Sequence, residues 1–263
     1  MIEARDTGSP EAPRKGRGGD FWPADKPGRK APGPKLLIGA AAALVAVVVA
    51  VVAVLMFTGG DEAPADKPLV PTAYTPDFNG EGFQQIADRS ADTREITEGE
   101  AASAKDLQSG KYSFKLAGSE LTADCKAATW GARLHGDLDK FGCTQIVRSA
   151  YVSGDKKHVG QFIVINMKNV DGVSQILRDL QAETGAGWVK PLNAKGVPAF
   201  GSGFSAAYAK TYGHYAVITW VERAGGEQPA SLNELIDVSL VIEGAADFLY
   251  GRLDLAANAG AGQ

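Results

Sequence analysis

LLIGAAAALVAVVVAVVAVLMF, residues 36–57, decides how the rest of this chain is arranged. The stretch is twenty-two residues long and holds no charged residue, no Ser and no Thr. A bilayer core about 30 Å thick is crossed by about 20 apolar residues in a helix. A lone segment in lipid must be helical, because only a helix satisfies every backbone group within one segment. Residues 36–57 therefore read as a transmembrane helix in contact with the lipid bilayer. Core helices of water-facing domains stop short of about 18 unbroken apolar residues. A cleaved signal peptide is the rival reading, with an apolar region of about 7–15 residues and a small-x-small border. This run is longer, and it ends Leu55-Met56-Phe57-Thr58-Gly59-Gly60 without such a border. An uncleaved signal anchor fits better.

The flanks set the orientation. Residues 1–35 carry Arg5, Arg14, Lys15, Arg17, Lys26, Arg29, Lys30 and Lys35, whereas the far side offers Asp61, Glu62 and Asp66 against Lys67. Basic residues stay in the cytoplasm. The expectation is a single-pass type II protein of the plasma membrane, with residues 58–263 extracytoplasmic. The 1–35 tail is rich in Gly, Pro and charge, so it is expected to be disordered. Its Phe21-Trp22-Pro23 is either a short motif for a cytoplasmic partner or an aromatic pair at the membrane surface. Small residues four apart in the span, such as Gly39 and Ala43, would let two copies approach as a homodimer. Residues 58–80, with Pro64, Pro68, Pro71 and Pro76, read as a stalk.

The remainder, 81–254, is long enough for one domain with its own core. A net charge of −4 gives no electrostatic reason to expect nucleic acid. No Asn-x-Ser/Thr sequon occurs, which leans bacterial. Residues 82–89 and 98–107 suggest short helices. Tyr112, Phe114 and Leu116 alternate with polar residues as in a strand. Ala127, Trp130, Leu134, Leu138 and Phe141 recur at helical spacing over 126–141, with Gly142 as the stop. Strands follow at 145–152 and 158–168, the latter (HVGQFIVINMK) being the strongest in the chain. Asp171 opens a helix whose apolar face is Val173, Ile176, Leu177 and Leu180. Residues 185–203 form a Gly/Pro-punctuated loop. Strands at 203–212 and 214–223 turn at Gly213. Ser231 and Glu234 form a capping box for a helix running to Arg252. Residues 255–263 read as a flexible tail. The fold class expected is α+β, with a mostly antiparallel sheet and helices packed on one face.

Chemistry is harder to find. Outside the cell, an isolated pair such as Cys125 and Cys143 is usually a disulfide. An unbroken 127–141 helix would hold its ends roughly 20 Å apart, too far for the bond. The bond then requires the helix to stop early, for instance at Gly136. We take the compartment argument as the stronger. His135, His158 and His214 have no second ligand at metal spacing, so no metal or cofactor is expected. Gly201-Ser202-Gly203-Phe204-Ser205 fits neither a nucleophile elbow nor a phosphate loop. No catalytic residue is expected, and the chain is read as not an enzyme. Glycine-rich loops beside sheets often rim pockets, so Gly201, Ser202, Gly203 and Phe204 are the candidate binding edge. Trp130, Trp188, Trp220, Tyr208, Tyr212 and Tyr215 read mainly as core.

The stretch Asp124–Tyr151, DCKAATWGARL…FGCTQIVRSAY, resembles single-pass membrane proteins of actinobacteria whose biochemical role is uncharacterised. These similarly join a basic Pro/Gly-rich tail and an Ala/Val-rich span to an outer domain of this size. The resemblance implies an envelope-facing protein and carries no active site. The layout is also similar to sensor domains of some actinobacterial kinases, although a 35-residue tail holds no kinase. The function expected is a non-catalytic binding or adaptor module that contacts an envelope protein. The alternative is an envelope enzyme or ligand sensor with a pocket near the 190–205 loop.

Overall fold

The computed structural model describes residues 68–201 and 203–261. The expectations for the 1–35 tail, the 36–57 span, residues 58–67 of the stalk and Ser202 lie outside these residues. Among the described residues no helix is long and apolar enough to cross a membrane.

The domain is α+β, as expected. Its strands are β1 (Ala73–Asp77), β2 (Asp106–Ser109), β3 (Tyr112–Thr122), β4 (Thr129–Trp130), β5 (Gln145–Ser153), β6 (His158–Asn166), β7 (Trp188–Val189), β8 (Ser205–Tyr212) and β9 (Tyr215–Arg223). Its helices are α1 (Glu98–Ala101), α2 (Ala132–Lys140), α3 (Val170–Asp179), α4 (Leu232–Glu243) and α5 (Asp247–Ala261). Seven strands form one sheet in the order β1-β8-β9-β6-β5-β3-β2. Every ladder in it is antiparallel except β1 on β8, which is parallel. The pair β4–β7 stands apart from the sheet.

Helices cover both faces of the sheet, which corrects the one-face expectation. Successive residues of β6 go to opposite cores: Phe162 and Val164 to one, Ile163 and Ile165 to the other. The same holds for Val147 and Ile146 on β5, and for Val217 and Ile218 on β9. Leu235, Val238 and Ile242 of α4 fill the first core, with Leu249 of α5. Leu134 and Leu138 of α2, with Val173, Ile176 and Leu177 of α3, fill the second. Each such side chain removed from water contributes about 1.5–3 kcal/mol. The unbroken apolar run of 162–165 already demanded two covers, because a one-sided strand alternates. The helix α4 can sit close because Gly160 has no side chain: a Cβ there would lie 2.2 Å from Ile242 Cδ1.

Several bounds also move. The strand β1 lies within the stretch read as stalk, and α5 continues through the stretch read as tail. The expected 98–107 helix ends at Ala101, with Thr97 and Glu100 forming its capping box. The N-cap of α3 is Asn169 rather than Asp171, its side chain accepting from Gly172 N. The last helix breaks between Glu243 and Asp247. Arg252 of α5 is 1% exposed and binds the Asp92 and Glu100 carboxylates, the Tyr215 hydroxyl and the carbonyls of Arg94 and Glu95. That network fastens α5 to the 92–100 segment.

Candidate functional site

On the face that carries α2 and α3, the helices do not reach the whole sheet. Arg148 and Ala150 of β5, and Val159 and Gln161 of β6, meet the 190–200 segment instead. A loop that covers a sheet must find partners for its own backbone groups. Gln161 supplies them by clamping Leu192 from both sides: its amide donates to Leu192 O at 3.1 Å, and its oxygen accepts from Leu192 N at 2.8 Å. Lys190 N donates to Ala128 O at 2.9 Å. Thr129 pairs with Val189 and Trp130 with Trp188. Further along, Phe200 packs on Trp220 at 4.7 Å, Trp220 on Trp188 at 5.6 Å, and Trp188 on Tyr74 at 5.2 Å. The segment is thus a fastened wall with an aromatic stack behind it.

Beside that wall lies a cleft of about 590 Å³, lined by Leu69, Trp130, Arg148, Lys190, Pro191 and Phe200 among others. A smaller cavity of about 120 Å³ shares Asn193, Ala199 and Phe200 with it. Arg148 is 9% exposed. It donates from Nη1 to Lys190 O at 3.1 Å and from Nη2 to Glu120 Oε1 at 2.5 Å, while its Nε has no partner among the described residues. Lys190 reaches across to Ala127 O with Nζ at 3.0 Å. The Trp130 indole Nε1 is a second buried donor without a partner among the described residues. Buried donors are normally paired, so two orphans on one cleft wall call for an explanation. What this arrangement can do is hold an acceptor-rich group next to an apolar surface.

The expected site residues are placed as follows. Cys125 and Cys143 are bonded, with Cα atoms 6.4 Å apart. The helix does not stop early to allow this; it starts late, at Ala132, after the turn through 125–131. Asp124 Oδ1 holds that turn by accepting from Lys126 N and Ala127 N. Of the candidate edge, Gly201 and Phe204 lie beyond the wall rather than on the cleft. Gly201 N donates to Glu222 Oε1, and Gly203 packs on the backbone of Gly226. The cleft is lined instead by earlier residues of the same loop, among them Lys190, Pro191, Asn193 and Phe200. The sequence reading took Trp130 mainly as core and singled out neither Arg148 nor Lys190. The one available signal was Arg148 itself, a lone cation inside a strand of otherwise uncharged residues.

The three histidines occupy different settings. His158 Nε2 lies 2.7 Å from Glu234 Oε1, which ties the start of β6 to the start of α4. Burial pushes Glu234 upward, but the His158 and Ala230 hydrogen bonds and the Arg223 charge hold its carboxyl below the usual range. His214 is buried and donates from Nδ1 to Ile86 O at 2.9 Å. Burial lowers its pKa, against the opposing Ile86 hydrogen bond and Asp92 charge, which favours the neutral ring. Among the described residues no group of three or more His, Cys, Asp or Glu is placed to hold a metal ion. No protein-family model, curated protein or solved structure matches the chain.

Proposed function

We propose that this chain is an extracytoplasmic binding module of a bacterial envelope, anchored by residues 36–57, whose cleft receives a segment of a partner protein. The observation that carries the reading is the cleft wall at Trp130, Arg148, Lys190 and Phe200, with orphan donors beside exposed apolar area. Three features support the placement. The 36–57 run is long enough to span, its N-terminal flank carries eight Lys/Arg against Lys67 alone on the far flank, and Cys125–Cys143 is a disulfide of the kind that persists in oxidising compartments. A second reading, a small-molecule sensor, is favoured by the cleft volume, which falls within the range of ligand sites of about 300–1,000 Å³.

The test is site-specific photocrosslinking of the full chain in its own membrane. A photoreactive residue is placed at Asn193 or Ala127, both exposed at the cleft, and at Leu240 on α4 as the control. Reproducible capture of one envelope protein from the cleft positions, and not from Leu240, is the expected result. Capture only of a second copy, or of nothing, overturns the partner reading in favour of the sensor.

A further inference from the structure

We infer that the cleft recognises a carboxylate carried on an extended, otherwise apolar segment, and that Glu120 is its intramolecular competitor. The inference rests on reading the cleft as a binding site, and it adds the chemistry of what enters.

Three observations carry it. Arg148 and Trp130 line the cleft, and each holds a buried donor without a partner among the described residues, Arg148 Nε and Trp130 Nε1. Both would be satisfied by an acceptor, and a guanidinium is best satisfied by a carboxylate, which it can bind through two parallel N–H bonds. Lys190 adds a second cation at the same wall. Secondly, Arg148 is nine-tenths buried, and an arginine so placed needs a counter-charge. The chain supplies one from Glu120, directly opposite Arg148 in the β3–β5 ladder. The Glu120 side chain remains 46% exposed. Water therefore screens that pair, so the ion pair is weak enough to exchange for another carboxylate. Thirdly, Leu69, Pro191 and Phe200 offer apolar contact on either side of the charge. An apolar chain with one acidic residue matches both features, whereas a small free anion would use only the first.

The probe is acetyl-Pro-Leu-Glu-Leu-Pro-amide, with its Gln analogue and sodium acetate as comparisons. Each is titrated into the full chain in lipid nanodiscs with ¹⁵N-labelled tryptophan. The Trp130 indole signal, assigned by Trp130→Phe, reports the arrival of an acceptor. The Glu peptide is expected to bind roughly tenfold tighter than the Gln peptide, the value of one charge-assisted hydrogen bond. Glu120→Gln removes the competitor and should tighten the Glu peptide about threefold or more, and Lys190→Gln should weaken it by a similar factor. Both positions are exposed, but Glu120→Gln takes the counter-charge from Arg148, so a thermal melt of each variant first establishes that it is folded and separates lost binding from lost structure. Equal binding of the Glu and Gln peptides overturns the carboxylate inference while leaving the binding module intact. Acetate reproducing the peptide's shift and affinity overturns the extended segment. No movement of Trp130 with any probe overturns the inference alone if Asn193 still captures a partner, and overturns both readings if it does not.

Discussion

Gly131 and Gly187 face one another where the turn before α2 crosses the strand β7. A Cβ at Gly131 would lie 2.1 Å from Ala186 O, and one at Gly187 would lie 2.0 Å from Trp130 O. Their φ angles are +104° and +140°, a region that side chains avoid. Backbone atoms cannot swing aside as a flexible side chain would. Gly131→Ala or Gly187→Ala should therefore each cost about 2 kcal/mol or more, read as a lower denaturant midpoint. Because Trp130 and Trp188 pair at this crossing, either change should also shift the indole signal of Trp130. In the sequence Gly187 was one of several glycines in a loop, and Gly131 lay inside the stretch read as the 126–141 helix. What makes them special is a neighbour some fifty-six positions away, and no local pattern encodes that.

The contact of α2 with α3 is expected to weaken as pH rises. Asp179 is fully buried, accepts from Arg133 and Gln175, and lies by Asp137. Burial, then the hydrogen bond and charge of Asp137, push its carboxyl up to about 6. A carboxyl raised above its unfolded value favours the folded state when protonated. Its contribution is full below about pH 4 and is lost as pH rises through about 6. Asp137→Asn should remove part of the upward push and raise Tm at pH 8 more than at pH 5. A thermal-melt series from pH 5 to 8 on both proteins reads the difference. His214 acts in the opposite sense, since a buried ring with a lowered pKa contributes above about 6.5 and loses that contribution as pH falls. The variant comparison isolates Asp137 because His214 is common to both. The apolar spacing of α3 was legible in the sequence. Which carboxylates the two helices bring together was not, since it depends on how they cross.

The whole domain gathers two cores about one sheet, and the disulfide fastens the margin of the second. Cys125–Cys143 closes a span of 18 residues that includes the turn at Ala127 and Ala128, whose carbonyls hold Lys190. Replacing both cysteines by serine should cost about 3 kcal/mol through the freer unfolded chain. The same replacement should loosen the cleft wall, so the Glu peptide should bind more weakly to the double variant than to the parent. Unchanged peptide affinity with lowered stability would separate the bond from the site.

By itself the sequence determined the α+β class, the order and type of the main elements, and the mostly antiparallel sheet, because these follow from periodicity and turn chemistry between near neighbours. It also placed the loop that lines the cleft, since glycine and proline mark irregular chain. Tertiary structure alone decided the two-sided cover of the sheet, the parallel addition of β1, and the late start of α2 that lets the cysteines meet. It alone decided that Arg148, Trp130 and Lys190 share one wall. Their positions span sixty residues, and only packing brings such distances to a few ångströms.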